Sequence, residues 1–247
     1  MEIHPLSEGT FTVDKSKHFI PFNENDLLKD KPSGSLLVEI QPFTIITPND
    51  VLLLDTGLKL SDETGRLQLH VNLEKAGIAP SSITKVLLSH LHKDHAGGIG
   101  LKSESVPEKQ LSFPSATYYV QRRELEYALK KGAPSFSIDD FEVLKNSSRL
   151  VLLDNDSGKI NDDIHYEVTS AHSPFHQVFW IKNDNEIIFY GGDDAPQLQQ
   201  MKHRFVARYD YNGRKSSQLR REWWAKGEKE KWTFLFYHDV KNPVWNF

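Results

Sequence analysis

Short apolar runs and helix-like repeats alternate along the chain and predict its secondary structure. Apolar runs bounded by turn-forming residues are typical of buried strands, and apolar residues that recur every three to four positions are typical of one helix face. The runs predict strands over residues 36–47, 51–54, 83–89, 117–121, 150–153, 165–169, 177–181, 186–190 and 232–237. The repeats predict helices over residues 66–76, 122–131 and 218–226.

Strands and helices are mixed through both halves of the chain, which predicts a layered α/β fold. Residues 232–237 are apolar on both faces apart from Thr233, so we expect this strand in the interior of a sheet. No Pro-, Gly- and Ser-rich linker is long enough to separate two domains. We therefore expect residues 1–247 to form a single domain.

Composition narrows the possible functions. The absence of cysteine excludes disulfide scaffolds, thiolate zinc sites, iron–sulfur clusters and cysteine nucleophiles. The chain has 30 Lys and Arg against 34 Asp and Glu and no polybasic tract, so we expect no nucleic-acid partner. The apolar runs are far shorter than the roughly 20 residues of a membrane span, and the N-terminus has no secretion signal. We therefore expect a cytoplasmic protein without a membrane partner.

The histidines point to a metal site. Six of the 11 lie in or beside three short segments, and the densest segment is an H-x-H-x-D-H box from His90 to His95. In an extended chain His90 and His92 share one side, and a helix start would bring Asp94 and His95 to a second position nearby. Imidazole and carboxylate ligands suit Zn²⁺, and less strictly Mn²⁺ or Fe²⁺. The box therefore predicts two adjacent metal positions.

Three later strand ends supply the ligands that two metals would still need. His172 lies between two predicted strands, Asp193 follows another strand in Tyr-Gly-Gly-Asp-Asp, and His238 follows the last strand. Open α/β sheets place their sites at such carboxyl ends of strands. Earlier in the chain, Asp55 follows an apolar strand in the same way, in Leu-Asp-Thr-Gly.

These segments resemble those of the metallo-beta-lactamase superfamily in their residue types and in their order along the chain, and the resemblance covers about residues 9–240. The resemblance implies a four-layer αββα sandwich, with two mixed sheets back to back and helices outside. It also implies that Asp55 lies behind the metals and orients one ligand histidine through its ring N–H, and that His176 is structural. The implied ligands are His90, His92 and His172 for the first metal, Asp94, His95 and His238 for the second, and Asp193 as a bridge.

Within the superfamily, the lactonase-like group of N-acyl-homoserine lactonases and related small-ester hydrolases is the most similar. The similarity rests on residues 119–125 and on the short tail, in which nine residues follow His238. True β-lactamases of this fold lack the bridging carboxylate, and the related thioesterases add a helical domain after the last ligand. The resemblance thus implies a dinuclear metal-dependent hydrolase, in which a metal-bridged hydroxide attacks the lactone or ester carbonyl of a small molecule. Asp94 is predicted to orient the nucleophile and pass on its proton.

Two alternatives remain open at this point. The same two-metal site could serve a phosphodiesterase or phosphotriesterase, or the chain could be a metal-binding relative without enzymatic turnover. Zinc is the expected metal, with manganese or iron as alternatives, and the oligomeric state is left open, with a homodimer among the options.

One departure from the lactonases bears on the substrate. In the homoserine-lactone hydrolases that the chain resembles, a tyrosine three residues after the bridging aspartate helps to bind the substrate carbonyl. This chain has Pro196 there, which has neither a hydroxyl nor an N–H donor. We therefore expect acyl-homoserine lactones to be poor substrates, unless Tyr190 or Tyr211 supplies a replacement donor.

Overall fold

A computed structural model of the protein describes residues 1–23, 25–26, 28–103, 106–203 and 205–247. Its strands are β1 Glu2–Pro5, β2 Gly9–Val13, β3 Phe19–Pro21, β4 Leu36–Ile40, β5 Phe43–Ile46, β6 Val51–Leu54, β7 Lys85–Leu87, β8 Gly100–Ser103, β9 Val106–Leu111, β10 Thr117–Gln121, β11 Leu150–Leu153, β12 Ser157–Lys159, β13 Ile164–Val168, β14 Gln177–Lys182, β15 Ile187–Tyr190, β16 Thr233–Leu235 and β17 Val244–Asn246. Its α-helices are α1 Gln68–Lys75, α2 Lys93–Ala96, α3 Arg122–Lys131, α4 Ile138–Phe141, α5 Leu198–Lys202 and α6 Gly213–Glu230. None of these helices is both long enough and apolar enough to cross a membrane.

Two six-stranded sheets form the centre of the fold. The first sheet has the strand order β1-β5-β6-β7-β10-β11 and the second has β12-β13-β14-β15-β16-β17. Both are mixed, because β6, β7, β10 and β11 run parallel in the first sheet and only β15 and β16 run parallel in the second. The strands β3, β2 and β4 form a smaller antiparallel sheet, and β8 pairs with β9.

The inner faces of the two large sheets pack on each other. Leu52 and Leu54 of β6 belong to the same buried cluster as Phe179 of β14 and Ile188 of β15. Side chains alternate between the two faces of a strand, so Leu53 points away from this cluster. Leu53 instead belongs to a second cluster, on the outer face of the first sheet.

Helices cover the two outer faces. Leu69 and Leu73 of α1 and Leu125 of α3 pack in the cluster outside the first sheet. Trp223 of α6 and Leu198 of α5 pack in the cluster outside the second sheet. The order helix, sheet, sheet, helix confirms the predicted αββα sandwich.

Two of the predicted elements differ most from the observed ones. Residues 36–47 form two strands rather than one, because Gln41 and Pro42 separate β4, in the small sheet, from β5, in the first large sheet. Pro42 has no N–H for a sheet, although its carbonyl accepts a bond from Leu6. Helix α6 extends well beyond the predicted residues 218–226, because Asn212 caps its start by accepting the N–H of Lys215. Strand β16 lies between β15 and β17, inside its sheet as predicted.

Candidate metal centre

The carboxyl ends of strands from both large sheets bring the candidate ligands together. In the first sheet, β7 leads into the box that begins at His90, and the box continues into the short helix α2. In the second sheet, His172 lies in the loop from β13 to β14, Asp193 follows β15, and His238 follows β16. The site therefore forms where the two sheets meet, at one edge of the sandwich.

The first ligand group consists of three imidazoles and one carboxylate. Nδ1 of His92 lies 2.9 Å from Nε2 of His90 and 3.2 Å from Nε2 of His172. Oδ2 of Asp193 lies 3.1 Å from the same His172 nitrogen. One ligand atom from each of the four side chains falls within 4.8 Å of all the others, which is close enough for one ion to bind them together.

The second group consists of Asp94, His95 and His238, whose ligand atoms also lie within 4.8 Å of one another. Oδ1 of Asp193 lies 3.1 Å from Nε2 of His95 and 2.9 Å from Nε2 of His238. The two oxygens of Asp193 thus face different groups, the arrangement that a bridging carboxylate needs.

The donor atoms of the site suit a cation. Among the described residues, Nε2 of His95 and Oδ1 of Asp193 are buried and have no hydrogen-bond partner, a costly state for polar atoms. Burial and neighbouring imidazoles hold the pKa of His90 and His92 well below its ordinary value, so both rings are neutral and each has one nitrogen lone pair for a metal. Burial alone would raise the pKa of Asp193, but nearby histidines, His238 first, outweigh it and lower that pKa strongly.

His95 differs from His90 and His92 because two carboxylates surround it. Burial lowers its pKa, but the charges of Asp193 and Asp94 outweigh burial and raise the pKa well above its ordinary value. The site therefore attracts positive charge to Nε2 of His95, and a divalent ion would provide that charge. The residues present thus fit two divalent ions.

Asp55 lies directly behind His95. Its fully buried carboxylate contacts Nδ1 of His95 at 2.8 Å, and it accepts bonds from the backbone N–H and the hydroxyl of Ser89 at 2.7 and 2.6 Å. Tyr190 donates a fourth bond at 2.5 Å. These bonds hold the His95 ring with Nε2 towards Asp193, so Asp55 has the kind of hydrogen bond that the sequence predicts.

Asp55→Asn is expected to weaken metal binding about 10- to 100-fold, because an amide cannot accept all four bonds and no longer fixes the His95 ring. Titration with a competing chelator measures this affinity. Tyr190→Phe is the matched control, since it removes one bond to the same carboxylate and leaves the His95 contact in place. An Asp55→Asn protein that binds metal as tightly as the Tyr190→Phe protein would show that Asp55 does not act through His95.

Asp210 is a second carboxylate that holds a candidate ligand histidine, and it was not predicted from the sequence. Oδ1 of Asp210, between α5 and α6, lies 2.9 Å from Nδ1 of His172, and its Oδ2 lies 3.6 Å from the buried guanidinium of Arg220. Nothing in the sequence around Asp210 marks it, because the loop that holds it meets the His172 loop only in the folded chain, through backbone hydrogen bonds. His238 is held by its own main-chain contact, from Nδ1 to the carbonyl of Glu39 at 2.7 Å.

Glu124 is another buried acid that the sequence analysis missed. It lies in the first turn of α3, accepts the N–H of Leu91 at 3.0 Å, and faces the hydroxyl of Ser173 at 3.4 Å. Burial raises its pKa. The side chain therefore connects the histidine box of the first sheet to the His172 loop of the second.

His176 occupies a structural position, in agreement with the sequence-based expectation. Its Nε2 accepts the backbone N–H of Asp193 at 3.2 Å, and its Nδ1 lies 3.1 Å from the carboxylate of Asp194. Gly192 has a φ of +48°, and a Cβ there would lie 2.8 Å from the His176 ring and 2.9 Å from the Ser89 hydroxyl. Only glycine allows the chain to bring Asp193 into the centre at this point.

A cavity of about 790 Å³ opens over the centre, and its wall includes Pro196, Tyr209 and Tyr211. Tyr190 is not part of this wall, and its hydroxyl is already bonded to Asp55, so the suggestion that it could replace the missing tyrosine donor is wrong. Tyr211 remains as a candidate, and its wall position makes Tyr209 a further one. Phe175, the large residue near His172, packs against Tyr127 instead of lining the cavity.

Comparison with protein families and curated proteins identifies relatives. The profile described as the metallo-beta-lactamase superfamily matches residues 37–193, which contain the histidine box and end at Asp193. The N-acyl homoserine lactonase AttM of Agrobacterium fabrum is 30% identical over 123 residues, which are 46% of this chain and 41% of that protein. The AttM of Azorhizobium caulinodans is 48% identical over 52 residues, which are 21% of this chain and 16% of that protein. The matched segments thus span less than half of these relatives.

Solved structures share the fold over nearly the whole chain. A probable metal-dependent hydrolase from Staphylococcus aureus has a TM-score of 0.80 at 19% identity, covering 99% of this chain and 91% of that one. AidC, a dizinc quorum-quenching lactonase in complex with a product, has a TM-score of 0.69 at 20% identity, covering 98% and 88%. At 19% and 20% identity, these matches show a shared fold.

Proposed function

The chain belongs to the metallo-beta-lactamase superfamily, and from this premise we propose that it is a dinuclear metal-dependent hydrolase of small-molecule lactones or esters. The observation that carries the proposal is the position of Asp193, whose two oxygens face two separate ligand groups. The AttM relatives are lactonases by name, and they favour lactones as the substrate class. Because both large sheets contribute ligands to one centre, we also propose that residues 1–247 act as one domain.

We assign the ligands as the sequence predicts. His90, His92 and His172 would hold one ion, Asp94, His95 and His238 would hold the other, and Asp193 would bridge them. The donors are imidazoles and carboxylates, so we propose zinc, with manganese or iron as alternatives. Bound divalent ions polarise carbonyl groups and lower the pKa of water towards neutrality.

The protein's own residues would position the reaction and move the proton. The carboxylate of Asp94 lines the cavity, and its Oδ2 lies 3.6 Å from the nitrogens of both His95 and His238. We propose that Asp94 accepts the proton of the attacking water and passes it to the leaving oxygen. Tyr237 holds this segment in place, because its hydroxyl donates to the Asp94 carbonyl and its ring stacks on His95.

A hydrolysis panel tests this function against its alternatives. Zinc-loaded protein should hydrolyse γ-lactones or 4-nitrophenyl esters faster than bis(4-nitrophenyl) phosphate, with the metal content measured on the same sample. Preference for the phosphodiester would favour the phosphodiesterase alternative. Bound metal without turnover of any substrate in the panel would favour the metal-binding relative without enzymatic activity.

Acyl-homoserine lactones are expected to be poor substrates, with kcat/KM below about 10⁵ M⁻¹s⁻¹. Pro196 cannot donate to the carbonyl oxygen, and the loss of one preorganised donor costs about 10²- to 10³-fold in rate. Steady-state kinetics with N-hexanoyl-homoserine lactone measure the effect. Efficient turnover would overturn the expectation, and a further loss in Tyr209→Phe or Tyr211→Phe would then identify the replacement donor.

A further inference from the structure

Five basic side chains line the cavity around the metal centre. Two come from the turn between β2 and β3, one from the start of α2, one from the end of α3 and one from the segment between α5 and α6: Lys15, Lys17, Lys93, Lys131 and Arg208. These four segments are separated widely in sequence, so only the fold brings them together. The metal ligands themselves are histidines and aspartates, and none of these five side chains belongs to the ligand groups.

Within the described part of the chain, none of the five cations forms an ion pair with a carboxylate. Other basic side chains form ion pairs there, such as Lys59 with Asp140 and Lys85 with Asp50, but no carboxylate lies within 4.0 Å of the five. Asp14 is the exposed acid in the cavity wall, and its carboxylate accepts bonds from Ser16. Three further carboxylates line the cavity, Asp94, Asp193 and Asp210, but each of them faces a histidine of the centre. The cations therefore outnumber the acids that do not already face a histidine, in a protein with a net charge of −4.

Lys17 has a backbone conformation that lysine rarely adopts. Its φ is +60°, in the left-handed region that glycine and asparagine occupy more easily. Lys59 and Lys231 have similar φ angles, +64° and +58°, outside the cavity wall. The turn therefore holds a lysine beside the cavity at a position where backbone preference alone would favour another residue.

Apolar and aromatic side chains also line the cavity. Phe19, Leu36, Tyr209 and Tyr211 all line it, and Nζ of Lys93 lies 5.7 Å from the centre of the Phe19 ring. Ligand sites of this kind combine apolar walls with a few charged groups that orient the ligand. A molecule with an organic body and a negative group would match both features.

We propose that the five cations bind a carboxylate or phosphate that the substrate carries outside its scissile bond, so that the preferred ester or lactone is an anion. This inference rests on the proposed hydrolase function. The metal centre would act on the scissile carbonyl, while the five cations would favour substrates that carry a negative group. Attraction of this kind weakens as salt is added, because the cations face water and are screened by mobile ions.

Three esters with one leaving group test the proposal. Mono-(4-nitrophenyl) glutarate carries a carboxylate, 4-nitrophenyl 4-phosphonobutanoate carries a phosphonate in place of phosphate, and 4-nitrophenyl pentanoate is neutral. We expect kcat/KM for at least one anionic ester to exceed that for the neutral ester about 10-fold at low salt, with the ratio falling as salt rises. The better of the two anionic esters identifies the anion. Equal rates for all three esters would overturn the proposal.

Variants locate the effect in the cavity. In the Lys17→Asn, Arg208→Gln double variant, the ratio of anionic to neutral kcat/KM is expected to fall about 10-fold. Asparagine tolerates a positive φ, so the turn should keep its conformation. Lys75→Gln with Lys145→Gln is the matched control, because it removes two exposed charges that are not part of the cavity wall. A ratio that falls equally in the control would show a general charge effect and contradict the cavity site.

Binding without turnover separates this proposal from the hydrolase function. Calorimetry compares glutarate with pentanoate, which share one carboxylate and differ in the second. About 10-fold tighter binding of glutarate, lost in the Lys17→Asn, Arg208→Gln variant, would support the anion site even if no ester were hydrolysed. Ester hydrolysis with equal binding of the two acids would overturn the anion site and leave the hydrolase function standing.

Discussion

Asp193→Ala is expected to lower kcat/KM for lactone or ester hydrolysis by about 10³-fold, because metal-assisted charge stabilisation is worth several kcal/mol. It is also expected to reduce the bound metal to less than two ions per chain. The reason is geometric, since one oxygen of Asp193 faces His172 and the other lies 2.9 Å from Nε2 of His238. No other carboxylate of the described centre is shared between the two ligand groups.

Metal analysis and kinetics on the same preparation check this prediction. Asp184→Ala is the matched control, because it makes the same change in the exposed turn at the other end of β15. Two bound ions and an unchanged rate in Asp193→Ala would refute the bridging role. Asp193→Asn separates charge from shape, since it retains one oxygen acceptor but loses the negative charge that two cations need.

Removal of metal by a chelator is expected to abolish activity and to lower the melting temperature. An ion present at about 1,000 times its Kd stabilises the folded state by about 4 kcal/mol. For a chain of this length, each kcal/mol corresponds to about 2–4 °C, so the loss of one ion should cost about 8 °C or more. Without ions, the buried Nε2 of His95 and Oδ1 of Asp193 keep no partner in the described site.

Thermal unfolding with and without chelator measures this effect, and zinc added back should restore both melting temperature and activity. The Asp193→Ala protein is the internal control, because its melting temperature should respond much less to the chelator. A melting temperature that stays constant in the native protein while its metal is lost would show that the ions do not stabilise the fold.

Local patterns predicted much of the secondary structure. Strand β10 and helix α3 have the bounds that the sequence predicts, because an apolar strand is followed directly by a helical repeat that ends at Gly132. The small edge strands β1, β12 and β17 were not predicted. Each is short and partly exposed, so its conformation depends on a partner strand that lies elsewhere in the sequence.

In the candidate site too, local patterns could be predicted from the sequence and contacts between distant residues could not. The box from His90 to His95 could be predicted because its ligands lie within six consecutive residues, where backbone geometry alone brings them near one another. The later candidate ligands were found through the order of strand ends, a pattern that identifies positions but no distances. Asp210 and Glu124 could not be found in this way, because each contacts its partner only after a helix packs on a sheet.

The sequence by itself thus determined the α/β class, the main strands and the residue types that could bind metal, since hydrophobic period and ligand spacing are local properties of a chain. Only the tertiary structure decided which oxygen of Asp193 faces which ligand group. It also decided that the Tyr190 hydroxyl is bonded to Asp55, and that five cations from four separate segments line one cavity. Those facts depend on sheet order and on the packing of the sheets. Contacts between residues far apart in sequence form only when the apolar faces of the two sheets are buried against each other.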